Sequence, residues 1–130
     1  MLKDFVKAEK PQDEELKQRI REAGEKLAAQ QNQIKEHKIP VLVLMEGWGT
    51  AGKGSLIGEV IKYLDPRFFK VAAMNVPTEE EKRKPFLYRY FQKIPEAGKF
   101  MFLDTGWMDE ITRQRLNGEM DDKVYEQRLE

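Results

Sequence analysis

The sequence contains no cysteine. That excludes a disulfide scaffold, thiolate metal sites and cysteine nucleophiles. Neither sign of charge is in excess: 23 Lys+Arg face 23 Asp+Glu, for a formal net charge of zero. Such a chain does not hold nucleic acid or a membrane surface by bulk attraction. There is no long hydrophobic run either. The longest, Val41 to Met45, is far below the roughly 20 residues that span a bilayer. The N-terminal stretch MLKDFVKAEK is charged and lacks the apolar centre of a signal peptide. The lone His37 adjoins a helix end, where histidine is common, and is assigned no role. These absences lead us to expect a cytoplasmic protein with neither nucleic acid nor membrane among its partners.

What is present fits one domain. The chain has 130 residues and a mass of 15.3 kDa. It is 40% hydrophobic and 35% charged. That composition fills a core and leaves charge for long solvent-facing helices. Residues 11–37 read as one such helix. Leu16, Ile20, Ala23, Leu27 and Ile34 form a narrow apolar stripe at helical spacing. The remainder is Lys, Arg, Glu and Gln, with Gly24 as a weak point and the first ten residues as a loose lead-in. Pro40 ends the helix. We therefore expect a helical segment over 1–38 and an α/β domain over 39–130.

In that domain Val41 to Met45 is short, continuous and apolar, as in a strand buried on both faces of a parallel sheet. A glycine-rich turn follows from Glu46 to Gly54, then a helix from Ser55 to Leu64 that Asp65-Pro66 stops. Phe68 to Met74 and Lys99 to Asp104 read as two further strands. Thr78 and Glu81 have capping-box spacing at a helix start, and Phe86 to Lys93 forms another turn or two. A last helical stretch runs from about Asp109, interrupted near Asn117-Gly118. Strands alternating with helices predict a parallel sheet with flanking helices. Only three strands are visible, where open sheets average about five. An incomplete sheet of this kind leaves a strand edge unprotected, so we expect a partial domain or one completed by a partner.

Chemistry concentrates in Gly47-Trp48-Gly49-Thr50-Ala51-Gly52-Lys53-Gly54-Ser55. Gly47, Gly52 and Lys53 fit the G-x-x-x-x-G-K of a phosphate-binding loop (Walker A), after a strand and before a helix. Glycines let backbone N–H groups of Gly47, Gly49, Ala51, Gly52, Gly54 and Ser55 turn towards an anion, and the helix dipole points at the same spot. Lys53 adds a charge for terminal phosphates. Gly54 stands where Ser or Thr holds Mg²⁺, and Ser55 comes one residue late. The competing reading is an ordinary strand-to-helix turn. Asp104, ending an apolar strand, is placed where phosphate-loop proteins hold Mg²⁺; a turn or N-cap aspartate is the alternative. Lys82, Arg83, Lys84, Arg89 and Lys93, interleaved with Phe86, Tyr88 and Tyr90, suit a polyanion or a solvated helix face with Phe86, Tyr90 and Phe91 in the core. Trp48 is open to two readings: a cover for a base or phosphate chain, or packing on the sheet edge.

Five short motifs occur in order: Glu46 to Gly54, Pro77-Thr78-Glu79-Glu80-Glu81, Phe86-Leu87-Tyr88-Arg89, Pro95-Glu96-Ala97-Gly98 and Asp104-Thr105-Gly106-Trp107. Together they resemble the type 2 polyphosphate kinases and the related polyphosphate:AMP phosphotransferases. The resemblance runs from about residue 15 to about 115 and spans about half of a family domain. It implies a P-loop α/β/α sandwich. The implied reaction is Mg²⁺-dependent phosphoryl transfer between inorganic polyphosphate and a nucleotide (AMP, ADP or ATP, with GDP in some members). It also implies that Lys53, the loop and Arg89 hold phosphates, and that Asp104 serves the metal.

Two departures stand out. The family loop reads G-x-D-x-x-G-K-G, and here the acid is Gly49. The family's D-R-S-W-Y is Asp104-Thr105-Gly106-Trp107-Met108. Losing that arginine removes charge that would stabilise the transferring phosphoryl group. Some family members carry two fused domains, one degenerate, and this chain resembles the N-terminal part of the degenerate one. Two functions are therefore expected side by side. One is a catalytically weak polyphosphate–nucleotide phosphotransferase domain, in which Lys53, Asp104 and Arg89 carry the chemistry. The other is a non-catalytic polyphosphate-docking, dimerisation or regulatory module of a two-domain enzyme, as a homo-oligomer or with the missing half of the domain.

Overall fold

The computed structural model describes residues 13–130. The lead-in expected over the first ten residues lies outside that range. The architecture is three-layered. A parallel three-stranded sheet, in the order β1-β3-β2, lies between helices on both faces. The strands are β1 (Val41–Leu44), β2 (Phe69–Ala72) and β3 (Phe100–Leu103). The register aligns Leu44, Leu103 and Ala72, so the C-terminal ends of all three strands reach one side of the sheet together. In open parallel sheets that side holds the ligand site.

β3 is buried at every residue because it pairs on both edges. Alternation sends Phe100 and Phe102 to one face and Met101 and Leu103 to the other. On the first face they pack with Ile57 and Leu64, joined by Leu27, Ile34, Val43 and Val60. On the second they pack with Tyr90, joined by Leu42, Leu44, Phe86 and Trp107. Phe69 meets Phe102 edge-on, with centroids 6.3 Å apart. The expectation of full burial for Val41 to Met45 is corrected. β1 is half-buried along its length, because it is an edge strand with one unpaired side.

α1 (Asp13–Glu36) has Asp13, Glu14 and Glu15 in its first turn and Lys35 in its last, matching the helix dipole. Only its C-terminal half docks. Leu16 and Ile20 are exposed, whereas Gly24 and Gln31 are buried. Gln31 accepts from Asp65 N–H (2.8 Å) and donates to Asp65 C=O (3.3 Å), fastening α1 to the end of the α2 segment. Gly24 is more than a weak point in the helix. A Cβ there would lie 2.4 Å from the Tyr63 ring, so glycine is what lets α1 approach. The helix ends before Pro40: Lys38 turns left-handed (φ 54°) and Ile39 N–H returns to Ile34 C=O at 3.0 Å.

α2 (Lys53–Ile61) begins two residues earlier than its apolar spacing indicated, at the loop lysine itself. A 3-10 turn (Pro66–Phe68), N-capped by Asp65, leads into β2. The bidentate Arg67 side chain holds the Asp65 carboxyl down at about 2. The capping box is present at α3 (Glu79–Lys82). Thr78 Oγ1 accepts from Glu81 N–H (3.2 Å), and Glu81 accepts from Thr78 N–H (2.8 Å). α4 (Tyr88–Phe91) is one turn. α5 (Trp107–Leu116) and α6 (Asp122–Leu129) are separated at Gly118 (φ 70°), where the interruption was expected. No helix among the described residues is long and apolar enough to cross a membrane.

The Gly24–Tyr63 contact gives a testable outcome. Gly24→Ala overpacks it and should cost about 1–3 kcal/mol in urea unfolding. In a double-mutant cycle with Tyr63→Ala the two changes should be non-additive, because the ring that clashes is then gone.

Candidate functional site

Two loops meet at the C-terminal side of the sheet. The first joins β1 to α2. Gly52 adopts the left-handed conformation (φ 85°, ψ 23°) that lets the chain turn directly into the helix. α2 has no side-chain cap, and its first backbone bond is Leu56 N–H to Gly52 C=O at 2.9 Å. The amides that open the helix, from Lys53 to Ser55, therefore have no intrahelical partner, which is the arrangement that binds anions. Thr50, Ala51, Gly52, Gly54 and Ser55 are all exposed. Trp48 is exposed as well, at 73%, and packing on the sheet edge is not its role.

The second loop joins β3 to α5. Gly106, the N-cap residue, has no side chain to cap the helix. Glu46 does so from the other loop. Its carboxylate accepts from Asp109 N–H (2.9 Å) and Met108 N–H (3.3 Å). A Cβ on Gly106 would lie 1.8 Å from Glu46 Oε1, so glycine here makes room for the carboxylate.

Between the loops lies a cleft of about 540 Å³ lined by Trp48, Gly49, Lys53, Thr105, Asp109 and Arg113, among others. Lys53 Nζ pairs with Asp109 Oδ2 at 2.9 Å and donates to Gly47 C=O. The fold thus brings Lys53 and Gly49 together with Thr105. Gly47 lines a smaller neighbouring cavity with Glu46, Met108 and Asp109. Asp104 directly follows β3, with its N–H donating to Ala72 C=O (3.1 Å), and is not among the residues lining the cleft.

Arg89 is not on a solvated face. It is buried, at 6% exposure, and donates to Asn75 C=O. Its Nε and Nη1 have no hydrogen-bond partner; Glu81 and Glu110 stand at 3.9 and 3.7 Å. Arg89 lines a second cavity of about 560 Å³ with the cations Lys82, Lys84, Arg113 and Arg128 and the carboxylates Glu81, Glu110 and Glu119. Arg113 and Glu110 line both cavities, so the two adjoin. Tyr90 is buried as a core residue, whereas Phe91 points to solvent. The Tyr90 hydroxyl donates to Glu110 (2.5 Å), and burial, reinforced by that carboxylate, pushes its pKa above the ordinary range.

Asp109, Glu110, Arg113 and Glu46 were not singled out from the sequence. The available signal was position: the first turns of a helix that follows a parallel strand stand beside the loop that leaves the neighbouring strand.

A family model for polyphosphate kinase 2 (PPK2) matches residues 10–130. The chain belongs to the polyphosphate kinase 2 family. An ADP-polyphosphate phosphotransferase 3 of Rhizobium meliloti is 31% identical over 106 residues, covering 82% of this chain and 37% of the relative. A polyphosphate:AMP phosphotransferase of Pseudomonas syringae pv. tomato is 34% identical over 85 residues, 65% of this chain and 17% of the relative. The crystal structure of polyphosphate kinase 2 from Arthrobacter aurescens TC1 matches with a TM-score of 0.77 and 29% identity, over 84% of this chain and 40% of its own. This PPK2 chain therefore spans well under half the length of these relatives.

The cap supplied by Glu46 can be tested in this PPK2 chain. Gly106→Ala should displace the carboxylate and cost about 1–2 kcal/mol in urea unfolding, the range for losing a helix cap. Gly49→Ala, where an added Cβ meets nothing within 4 Å, should change stability by less than about 0.5 kcal/mol.

Proposed function

We propose that this chain forms the phosphate-loop part of a cytoplasmic polyphosphate–nucleotide phosphotransferase. The relatives named above carry this activity in their names. The observation that carries the reading is the uncapped start of α2 beside Lys53, facing a cleft closed by α5. The loop amides and Lys53 bind phosphate oxygens. Arg89 and the cavity it lines offer further positive charge to a phosphate chain or a nucleotide phosphate.

The donor set is compatible with Mg²⁺. Among the described residues no three acidic or histidine side chains converge. Mg²⁺ does not require such a cluster, because it binds through one or two carboxylates and completes its shell with water and substrate phosphates. Asp104, on the loop between β3 and α5 beside the cleft though not in its lining, is the carboxylate proposed to hold it. When bound, the cation neutralises charge on the phosphates. The chain itself positions: loop amides and Lys53 orient the phosphoryl group, and α5 shields one side of the cleft.

A second reading rests on Gly49 and Thr105. Both line the cleft, and neither supplies charge where the family pattern has an acid and an arginine. On this reading the isolated chain docks polyphosphate with weak or no turnover.

The two readings separate by experiment. Lys53→Ala should abolish polyphosphate binding in a filter or calorimetric assay, and unchanged binding would sink the loop assignment. Gly49→Asp with Thr105→Arg should raise phosphotransfer to AMP or ADP in the full-length protein. A Cβ added at Gly49 meets nothing within 4 Å. Robust turnover by the unmodified chain would refute the docking reading.

A further inference from the structure

Lys53 is engaged at close range by the protein itself. Its ammonium lies 2.9 Å from Asp109 Oδ2, and the two side chains are only 12% and 27% exposed. The same nitrogen donates to Gly47 C=O and, at 3.5 Å, to Trp48 C=O. An ammonium has three donors; two are held at close range, and the third reaches Trp48 only at 3.5 Å, longer than an ordinary hydrogen bond. Asp109 is held in place from the backbone side, because its N–H and that of Met108 are bound by Glu46. A carboxylate oxygen thus sits on the lysine with the charge sign and acceptor character that a phosphate oxygen would bring. Arg113 follows Asp109 by four residues on α5 and lines the same cleft. It is the cation towards which a displaced Asp109 side chain can turn.

We infer that Asp109 is an internal competitor for the phosphate position on Lys53, and that it sets the anion specificity of the loop. Phosphate must replace the carboxylate to take the close position that Asp109 holds on the lysine. A small anion such as orthophosphate gains little beyond what Asp109 already supplies. A phosphate chain also reaches the loop amides and the cations beyond Arg113, and so displaces Asp109. The inference rests on the loop being the phosphate site.

The test is calorimetric titration of the full chain with orthophosphate and with inorganic tripolyphosphate. Asp109→Asn keeps the shape and removes the charge. It should tighten tripolyphosphate binding about tenfold, on the scale of one charge-assisted hydrogen bond released for the ligand. It should tighten orthophosphate binding by at least as much, narrowing the preference for the chain. Asp109→Ala should give a gain of the same sign, and structural damage would not produce a gain in either variant. Unchanged or weaker binding by both natively folded variants, as judged by circular dichroism, overturns the inference. Lys53→Ala keeps the two failures apart. Loss of binding in Lys53→Ala without a gain in the Asp109 variants rejects the competitor alone. Binding retained in Lys53→Ala rejects the loop assignment and the competitor with it.

Discussion

β3 is hydrogen-bonded to β1 on one edge and to β2 on the other, and all four of its residues are buried. Its alternating side chains are the centre of both hydrophobic layers. The parallel register that it imposes brings the ends of β1, β2 and β3 level, so the loops leaving them share one side of the sheet. Lys53 lies far in sequence from Thr105 and Asp109 and meets them in one cleft for that reason. Fully burying a residue such as Leu103 is worth about 1.5–3 kcal/mol. The same burial that holds the domain together therefore also sets the geometry of the cleft.

The two loops of the cleft are tied to each other as well as to the sheet. Glu46 caps α5 from the β1 side, and Lys53 reaches Asp109 from the start of α2. Each contact places a carboxylate where an anionic ligand would be favoured: a helix N-terminus and a loop lysine. At 2.9 Å the Lys53–Asp109 attraction is large in gross terms. Desolvation offsets most of it, leaving a net contribution on the order of 1.5–3 kcal/mol for a charged hydrogen bond. On the proposed reading, a ligand with several phosphate charges and several contacts exceeds that, and an orthophosphate at one contact does not.

Much of this was legible in the sequence, and the reasons differ by element. The three strands were legible because short apolar runs bounded by turn residues leave few alternatives. The capping box at Thr78 and Glu81 is set by local chemistry alone, and it formed as expected. The half-burial of β1 was not legible, because strand order in a sheet is a non-local property. The burial of Arg89 was not legible for a related reason. Its basic neighbours in sequence suit a polyanion or a solvated face alike, whereas in the fold Arg89 is buried and turned towards Asn75. Gly106 reads in sequence as a lost serine. Its meaning depends on Glu46, sixty residues earlier. Contacts of that range carry no local signal.

The most direct measurement is a set of backbone amide chemical shifts, recorded while inorganic tripolyphosphate and Mg²⁺ are added to the chain. The account predicts that the largest changes fall on Gly47 to Ser55 and on the first turn of α5, where Asp109 leaves Lys53. Changes confined to other surfaces, with the loop amides unmoved at saturation, would contradict it.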